Sequence, residues 1–239
     1  ETGHVAGYAD NLDGDYRAFL YSSTGALADL GTLGGKISYA AGVNNAGQVV
    51  GTSALSSNYR RAFIWDEKRG MVDLGTLGGR SSSATAINDA GVVVGASETS
   101  DRRWRAFLHD GTRMVDLGAL IGYGSSYATD INNAGHVVGT VLIGDERRSF
   151  VWRDGVMTVH RGGKGLHLTN SINDVEQVIG ATYSRKLEAA TMRSTAVPVV
   201  DHGGSKFLLS VIVTLLASGV LVFYRRRYHG IDINNAALL

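Results

Sequence analysis

DLGTLGG at residues 29–35 returns unchanged at 73–79 and in altered form as DLGALIG at 116–122. Two readings compete for a glycine-punctuated heptapeptide. A phosphate-binding loop would carry Gly-x-x-x-x-Gly-Lys-Ser/Thr once, between a strand and a helix, and a dinucleotide fingerprint would likewise open a helix. Here the lysine-hydroxyl pair is missing, more strand-like sequence follows, and the element is copied. Glycines repeated in register suit tight turns, so the heptapeptide reads as part of a structural unit made in tandem.

Working outward, the rest of the unit repeats too. GHVAGYA (3–9) recurs as GQVVGTS (47–53), GVVVGAS (91–97), GHVVGTV (135–141) and EQVIGAT (176–182). RAFLY (17–21), RAFIW (61–65), RAFLH (105–109) and RSFVW (148–152) come next in each unit. The heptapeptide follows, degrading to TVHRGGK (158–164) in the fourth copy, and the unit closes with AAGVNNAG (40–47), ATAINDAG (84–91), ATDINNAG (128–135) and NSINDVE (170–176). Runs of β-branched and aromatic residues four to six long are strand-sized, and Asn-Asn/Asp-Ala-Gly supplies the residues a tight hairpin turn needs. Apolar residues at helical spacing are not found within the repeats. The expectation is an all-β repeat domain over residues 1–193, with four strands in each unit of about 44 residues. That is the arithmetic of a β-propeller of four to five blades, with a β-solenoid as the alternative. The unit is cut at both ends, so residues 3–9 are expected to share a sheet with 178–193. The absence of an initiator Met is expected of a processed or truncated form, with any secretory signal upstream.

The 239 residues include 32 glycines, one proline and no cysteine, and the net charge is +1. The glycine excess signals turns, because the intervening stretches are rich in Val, Ile and Leu. The charge balance favours no nucleic-acid partner. Without cysteine there is no disulfide, thiolate metal site or cysteine nucleophile, and nothing in the chain calls for a cofactor.

INxAGxVVG, AF-W and GMxDLGTLGG together resemble the repeat of the HAF family of bacterial extracellular repeat proteins, over residues 3–182. The resemblance is carried by GMVDLGTLGG (70–79) and SSATAINDAGVVVG (82–95). The family's His-Ala-Phe is Arg-Ala-Phe here, or Arg-Ser-Phe in the fourth copy. The resemblance implies export and an extracellular location, with no catalytic activity in the repeat itself.

The composition changes after the repeats. Residues 194–206 (STAVPVVDHGGSK) read as a linker, and 207–224 run 18 residues without a charge before Arg225, Arg226 and Arg227. As a helix that span would measure about 27 Å, enough for a bilayer core. The arginines would place residues 225–239 in the cytoplasm and the repeats outside. Linker, span and arginines are similar to a C-terminal PEP-CTERM sorting signal, and VVDHGGS (199–205) resembles its Val-Pro-Asp-Ser-Gly variant. The resemblance assigns Pro198, Asp201, Gly203, Gly204 and Ser205 to recognition by an exosortase-like processing enzyme. A plain single-pass anchor stays open, and DINNA (232–236) echoes the repeat.

Candidate chemistry is sparse. Arg17, Arg61, Arg105 and Arg148 precede the aromatic strand of each unit, and Asp29, Asp73 and Asp116 follow eleven or twelve residues later. Four arginines on one rim would form a cationic ring for an anionic glycan or a surface protein. The other reading, favoured because partner and spacing recur together, is an Arg–Asp pair inside each unit. Arg148 lacks its aspartate and is the one expected to be free for a ligand. DNLDGD (10–15) resembles a Ca²⁺ loop but lacks the distal glutamate and reads as a hairpin turn. His4 and His136 share a repeat position with Gln48 and Val92 and read as a tolerant surface site. The expected function is a non-enzymatic, exported, membrane-tethered binding or structural module. The alternative is an extracellular hydrolase or lyase with a site in the propeller channel.

Overall fold

The computed structural model describes residues 2–121, 124–160, 168–183 and 187–193. The linker, the apolar span, the sorting residues Pro198, Asp201, Gly203, Gly204 and Ser205, and Arg225–Arg227 lie outside the described residues. Among those described, no helix is long and apolar enough to cross a membrane.

The described residues are all-β apart from one short 3₁₀ turn, and their strands form five small antiparallel sheets in sequence order. The first holds β1 (Val5–Asp10), β2 (Tyr16–Tyr21) and β3 (Leu27–Asp29). The second is β4 (Gly34–Val43), β5 (Val49–Leu55), β6 (Arg60–Asp66) and β7 (Gly70–Asp73). The third is β8 (Gly78–Ile87), β9 (Val93–Thr99), β10 (Trp104–His109) and β11 (Met114–Asp116), followed by a short 3₁₀ turn at Gly118–Ile121. The fourth is β12 (Ser126–Ile131), β13 (Val137–Ile143), β14 (Glu146–Arg153) and β15 (Val156–Val159). β16 (Leu168–Ile172), β17 (Gln177–Tyr183) and β18 (Leu187–Arg193) make the fifth. Within each sheet, sequence neighbours are hydrogen-bonded neighbours. Each sheet packs on the next, and the strands β4, β8, β12 and β16 touch in succession, so the sheets converge along that edge.

This arrangement explains the paired valines of the repeat. Val49 and Val50 are both fully buried, yet they enter different apolar layers. Val49 joins Ala18, Leu20, Leu30 and Phe63 between the first and second sheets; Val50 joins Ala84, Val93 and Phe107 between the second and third. Consecutive strand residues point to opposite faces, and a strand covered on both sides has no polar face to alternate with. The core is therefore a series of layers, one between each pair of sheets.

The glycine after the valines and the phenylalanine of the next strand are a single device. Gly51, Gly95 and Gly139 lie directly across the ladder from Phe63, Phe107 and Phe150. A Cβ at any of the three would overlap the carbonyl oxygen of Tyr39, Ser83 or Tyr127 and crowd the phenylalanine ring. The first strand of each unit bulges here, between Ala40 and Gly42, Ala84 and Ala86, or Ala128 and Asp130. The backbone of the bulged strand runs close to the partner strand at these points, and only glycine leaves room for it and for the buried ring.

Polar side chains then tie sheet to sheet. The expected hairpin turns join β4 to β5, β8 to β9, β12 to β13 and β16 to β17. In each, the leading asparagine accepts from the amide four residues on, Asn44 from Gln48 and Asn88 from Val92. Its Nδ2 donates to the carbonyl of the equivalent asparagine in the next turn, Asn44 to Asn88 at 3.1 Å, Asn88 to Asn132 at 3.2 Å and Asn132 to Asn173 at 3.1 Å. The second turn position extends the link, with Asp89 accepting from the backbone and side-chain amides of Asn45. Ser38, Ser82 and Ser126 are fully buried and accept the amides of Ala18, Ala62 and Ala106 in the preceding sheet, each at 2.9 Å.

Two expectations need correction. Residues 3–9 and 178–193 do not share a sheet: β1 pairs with β2 in the first, and β17 lies between β16 and β18 in the fifth. Both edges of β17 are hydrogen-bonded inside its own sheet, so neither is free for β1. His4 and His136 are half-buried. Their position packs on the following turn: the His4 ring lies against Gly47, and His136 Nδ1 is 3.1 Å from Glu176, which stands where the earlier turns have glycine.

Asn88→Ala removes the acceptor for Val92 N–H and the donor to Asn132 C=O, both at a buried turn. It is expected to cost about 2–4 kcal/mol, read as a lower urea midpoint with an unchanged denaturant slope. Asp130 is half-buried between the fourth and fifth sheets, accepting from Ser171 Oγ and from the amides of Ile172 and Ile131. Burial raises its pKa above 3.8 against those hydrogen bonds. The folded state therefore holds this proton more tightly, and the stability it contributes is present below pH 3.8 and is lost as pH rises. Asp130→Asn is expected to remove that fall from the stability profile above pH 3.8.

Candidate ligand cleft between the second and third sheets

Arg17, Arg61 and Arg105 sit at the start of β2, β6 and β10 and Arg148 within β14, away from the edge where the sheets converge. Each of the last three is engaged close to its own unit. Arg61 Nε is 3.5 Å from Asp73 Oδ2, and its guanidinium also donates to the Arg80 carbonyl at the start of the next sheet. Arg105 is buried and donates to Gly118 C=O at 3.0 Å. Arg148, expected to be free, pairs with Glu146 two residues earlier at 2.6 Å; a strand places residues i and i+2 on one face. Arg17 Nε is buried without a hydrogen-bond partner among the described residues.

The aspartates of the heptapeptide have their own local task. Asp29 and Asp73 accept the amides of Gly31 and Gly75, while Thr32 and Thr76 donate to Gly35 and Gly79 C=O. The heptapeptide is thus a crossover from the last strand of one sheet to the first of the next, folded around its own hydroxyl and carboxyl groups. The unit-internal Arg–Asp pair is present in the second unit, whereas in the third Asp116 accepts from Ala119 and the arginine turns to a carbonyl. DNLDGD forms the β1–β2 hairpin turn, in which Asn11 Oδ1 accepts the amides of Asp13 and Asp15.

A different set of residues makes a cavity. A cleft of about 400 Å³ opens between the second and third sheets, lined by Tyr39, Thr52, Arg60, Ser81, Ser82, Ser83 and Trp104. That volume lies in the lower part of the range for small-ligand pockets, about 300–1,000 Å³. Comparing the units shows why it opens there. Where the first and second sheets meet, Tyr8, Tyr16 and Tyr39 fill the space with ring centroids 4.9–5.7 Å apart. Where the third and fourth meet, Trp104 stacks on Tyr127 at 6.4 Å. The equivalent positions between the second and third sheets are Thr52, Arg60 and Ser83. Two hydroxyls and a guanidinium replace the rings, and Thr52 Oγ1 and Ser83 Oγ close on each other at 2.6 Å.

Tyr39 and Trp104 are half-buried and Arg60 is exposed. Burial raises the Tyr39 pKa, with the Arg60 guanidinium pulling it down, so the phenol is neutral at physiological pH. Arg60 makes no ion pair among the described residues. The cleft therefore offers aromatic surface, hydroxyls and one available cation, and none of its lining residues is a carboxylate or an imidazole. Sequence reasoning selected the repeating arginines and missed this site. Its signal was the departure of Ser83 from Tyr39 and Tyr127 in an otherwise regular copy.

No protein-family model matches the chain, and no curated protein matches it at a significant level.

Arg105→Ala is expected to cost about 2 kcal/mol, because it removes a charged donor from a buried carbonyl. Arg148→Ala is expected to cost less than about 1 kcal/mol, since the pair with Glu146 is largely solvated. Urea titrations of the two variants give the comparison.

Proposed function

We propose that this chain is an exported, membrane-tethered repeat module that acts outside the cell by binding rather than by catalysis. In this reading the five sheets are blades of a propeller. The crossover from the last strand of each sheet to the first strand of the next supports it, as does the convergence of the first strands along one edge. The resemblance of the repeat to extracellular HAF proteins and the uncharged 207–224 stretch ahead of Arg225–Arg227 support export and tethering. The PEP-CTERM-like tail adds sorting by an exosortase-like enzyme.

The observation that carries the binding role is the composition of the cleft. General acid–base chemistry needs a side chain able to take or give a proton near neutral pH, most often His, Glu or Asp. The cleft instead gathers aromatic rings, hydroxyls and an arginine, which recognise a ligand without transforming it.

The test is an array of glycans and bacterial surface proteins probed with the full chain. Saturable binding to a defined subset is the expected result. Uniform failure to bind would overturn the binding role and leave a purely structural one.

A further inference from the structure

We infer that the cleft between the second and third sheets is a saccharide site selective for acidic sugars, with Arg60 as the carboxylate anchor and Trp104 and Tyr39 as the apolar walls. This rests on the binding role proposed above and assigns that role a place and a ligand class.

The first argument is the pattern of departure from the repeat. In the neighbouring interfaces a tyrosine at this position, Tyr39 or Tyr127, packs against an aromatic residue of the preceding sheet. At Ser83 the ring is absent, and among the described residues a cleft remains there. Close packing is the rule in protein interiors, and an interface that forgoes an available filler keeps a cavity of ligand size. The second argument is the chemistry of the lining. A pyranose has faces of C–H groups that lie against aromatic rings and a rim of hydroxyls that exchange hydrogen bonds. Trp104 and Tyr39 supply the rings, and Thr52, Ser81, Ser83 and the neutral Tyr39 phenol supply donors and acceptors.

The third argument fixes the charge. Arg61, Arg105 and Arg148 are each committed to a protein partner, whereas Arg60 enters the cleft without an ion pair among the described residues. A guanidinium presents a planar fork of donors that matches a carboxylate bidentately. A sugar carboxylate beside the ring that stacks on tryptophan would satisfy both groups at once. The edges of Thr52 and Ser83 are already hydrogen-bonded to each other, which preorganises the floor and lowers the ordering cost of binding.

Isothermal titration of the full chain with trigalacturonic acid, and separately with its methyl ester, tests the assignment. The expected result is saturable binding of the acid and at least tenfold weaker binding of the ester. Arg60→Met is expected to weaken the acid at least tenfold while leaving the ester unchanged. Ser83→Tyr, which restores the residue found in the adjacent units, is expected to abolish binding of both with an unchanged melting temperature. Trp104→Ala, whose thermal unfolding is followed in parallel, covers the case in which the added tyrosine disturbs packing. Arg148→Ala should bind as the parent does. Equal binding of acid and ester would overturn the charge selectivity, and wild-type affinity in a folded Ser83→Tyr or Trp104→Ala chain would overturn the location. In either case binding on the array would leave the broader role standing. No binding of the acid by the parent chain, with other ligands bound on the array, would overturn the ligand class alone.

Discussion

In a chain made of small separate sheets, backbone ladders stop at each sheet's edge, and side chains must hold one sheet to the next. Asn44, Asn88 and Asn132 do this most directly, each closing its own hairpin turn and donating to the backbone of the following one. Apolar layers favour contact but do not specify register, because burial is nondirectional. A directed hydrogen bond repeated at every turn does specify it. The buried serines do the same from the sheet face, satisfying the amides of Ala18, Ala62 and Ala106 from a neighbouring sheet. Such groups are costly to bury unpaired, so each one selects a single stacking of the sheets.

That requirement explains what the repeat keeps and what it lets vary. Valines, glycine, phenylalanine, turn asparagine and buried serine are each committed to an interface, and a change in one unit would break contacts with the next. The freer positions are those facing across the interface near the strand starts: Tyr16, Arg60 and Trp104 on one side, Tyr39, Ser83 and Tyr127 on the other. There the interface tolerates rings, hydroxyls or charge. The cleft lies where this set reads Thr52, Arg60 and Ser83 instead of rings, while the frame around it is the same as in the neighbouring interfaces.

The recurrence of Arg17, Arg61, Arg105 and Arg148 suggests a ring, yet recurrence is what structural necessity produces. Arg61 meets Asp73, and Arg105 meets the carbonyl of Gly118. Arg148, lacking the heptapeptide aspartate, found Glu146 on its own strand face, a partner that spacing alone ranks no higher than any other nearby carboxylate. The tie between Gly51 and Phe63 was also unread in the sequence. They are twelve positions apart, and only the antiparallel register sets them opposite.

The sequence alone determined the strand-rich character, the length of the unit, its hairpin turns and that DLGTLGG is a structural element rather than a phosphate loop. These follow from local chemistry: β-branched runs extend, and Asn, Asp and Gly turn. Only the tertiary structure decided which valine enters which layer, that β1 and β17 belong to different sheets, and that Ser83 leaves a cleft between Arg60 and Trp104. Those outcomes depend on contacts between units tens of residues apart, where packing chooses among partners that are locally equivalent.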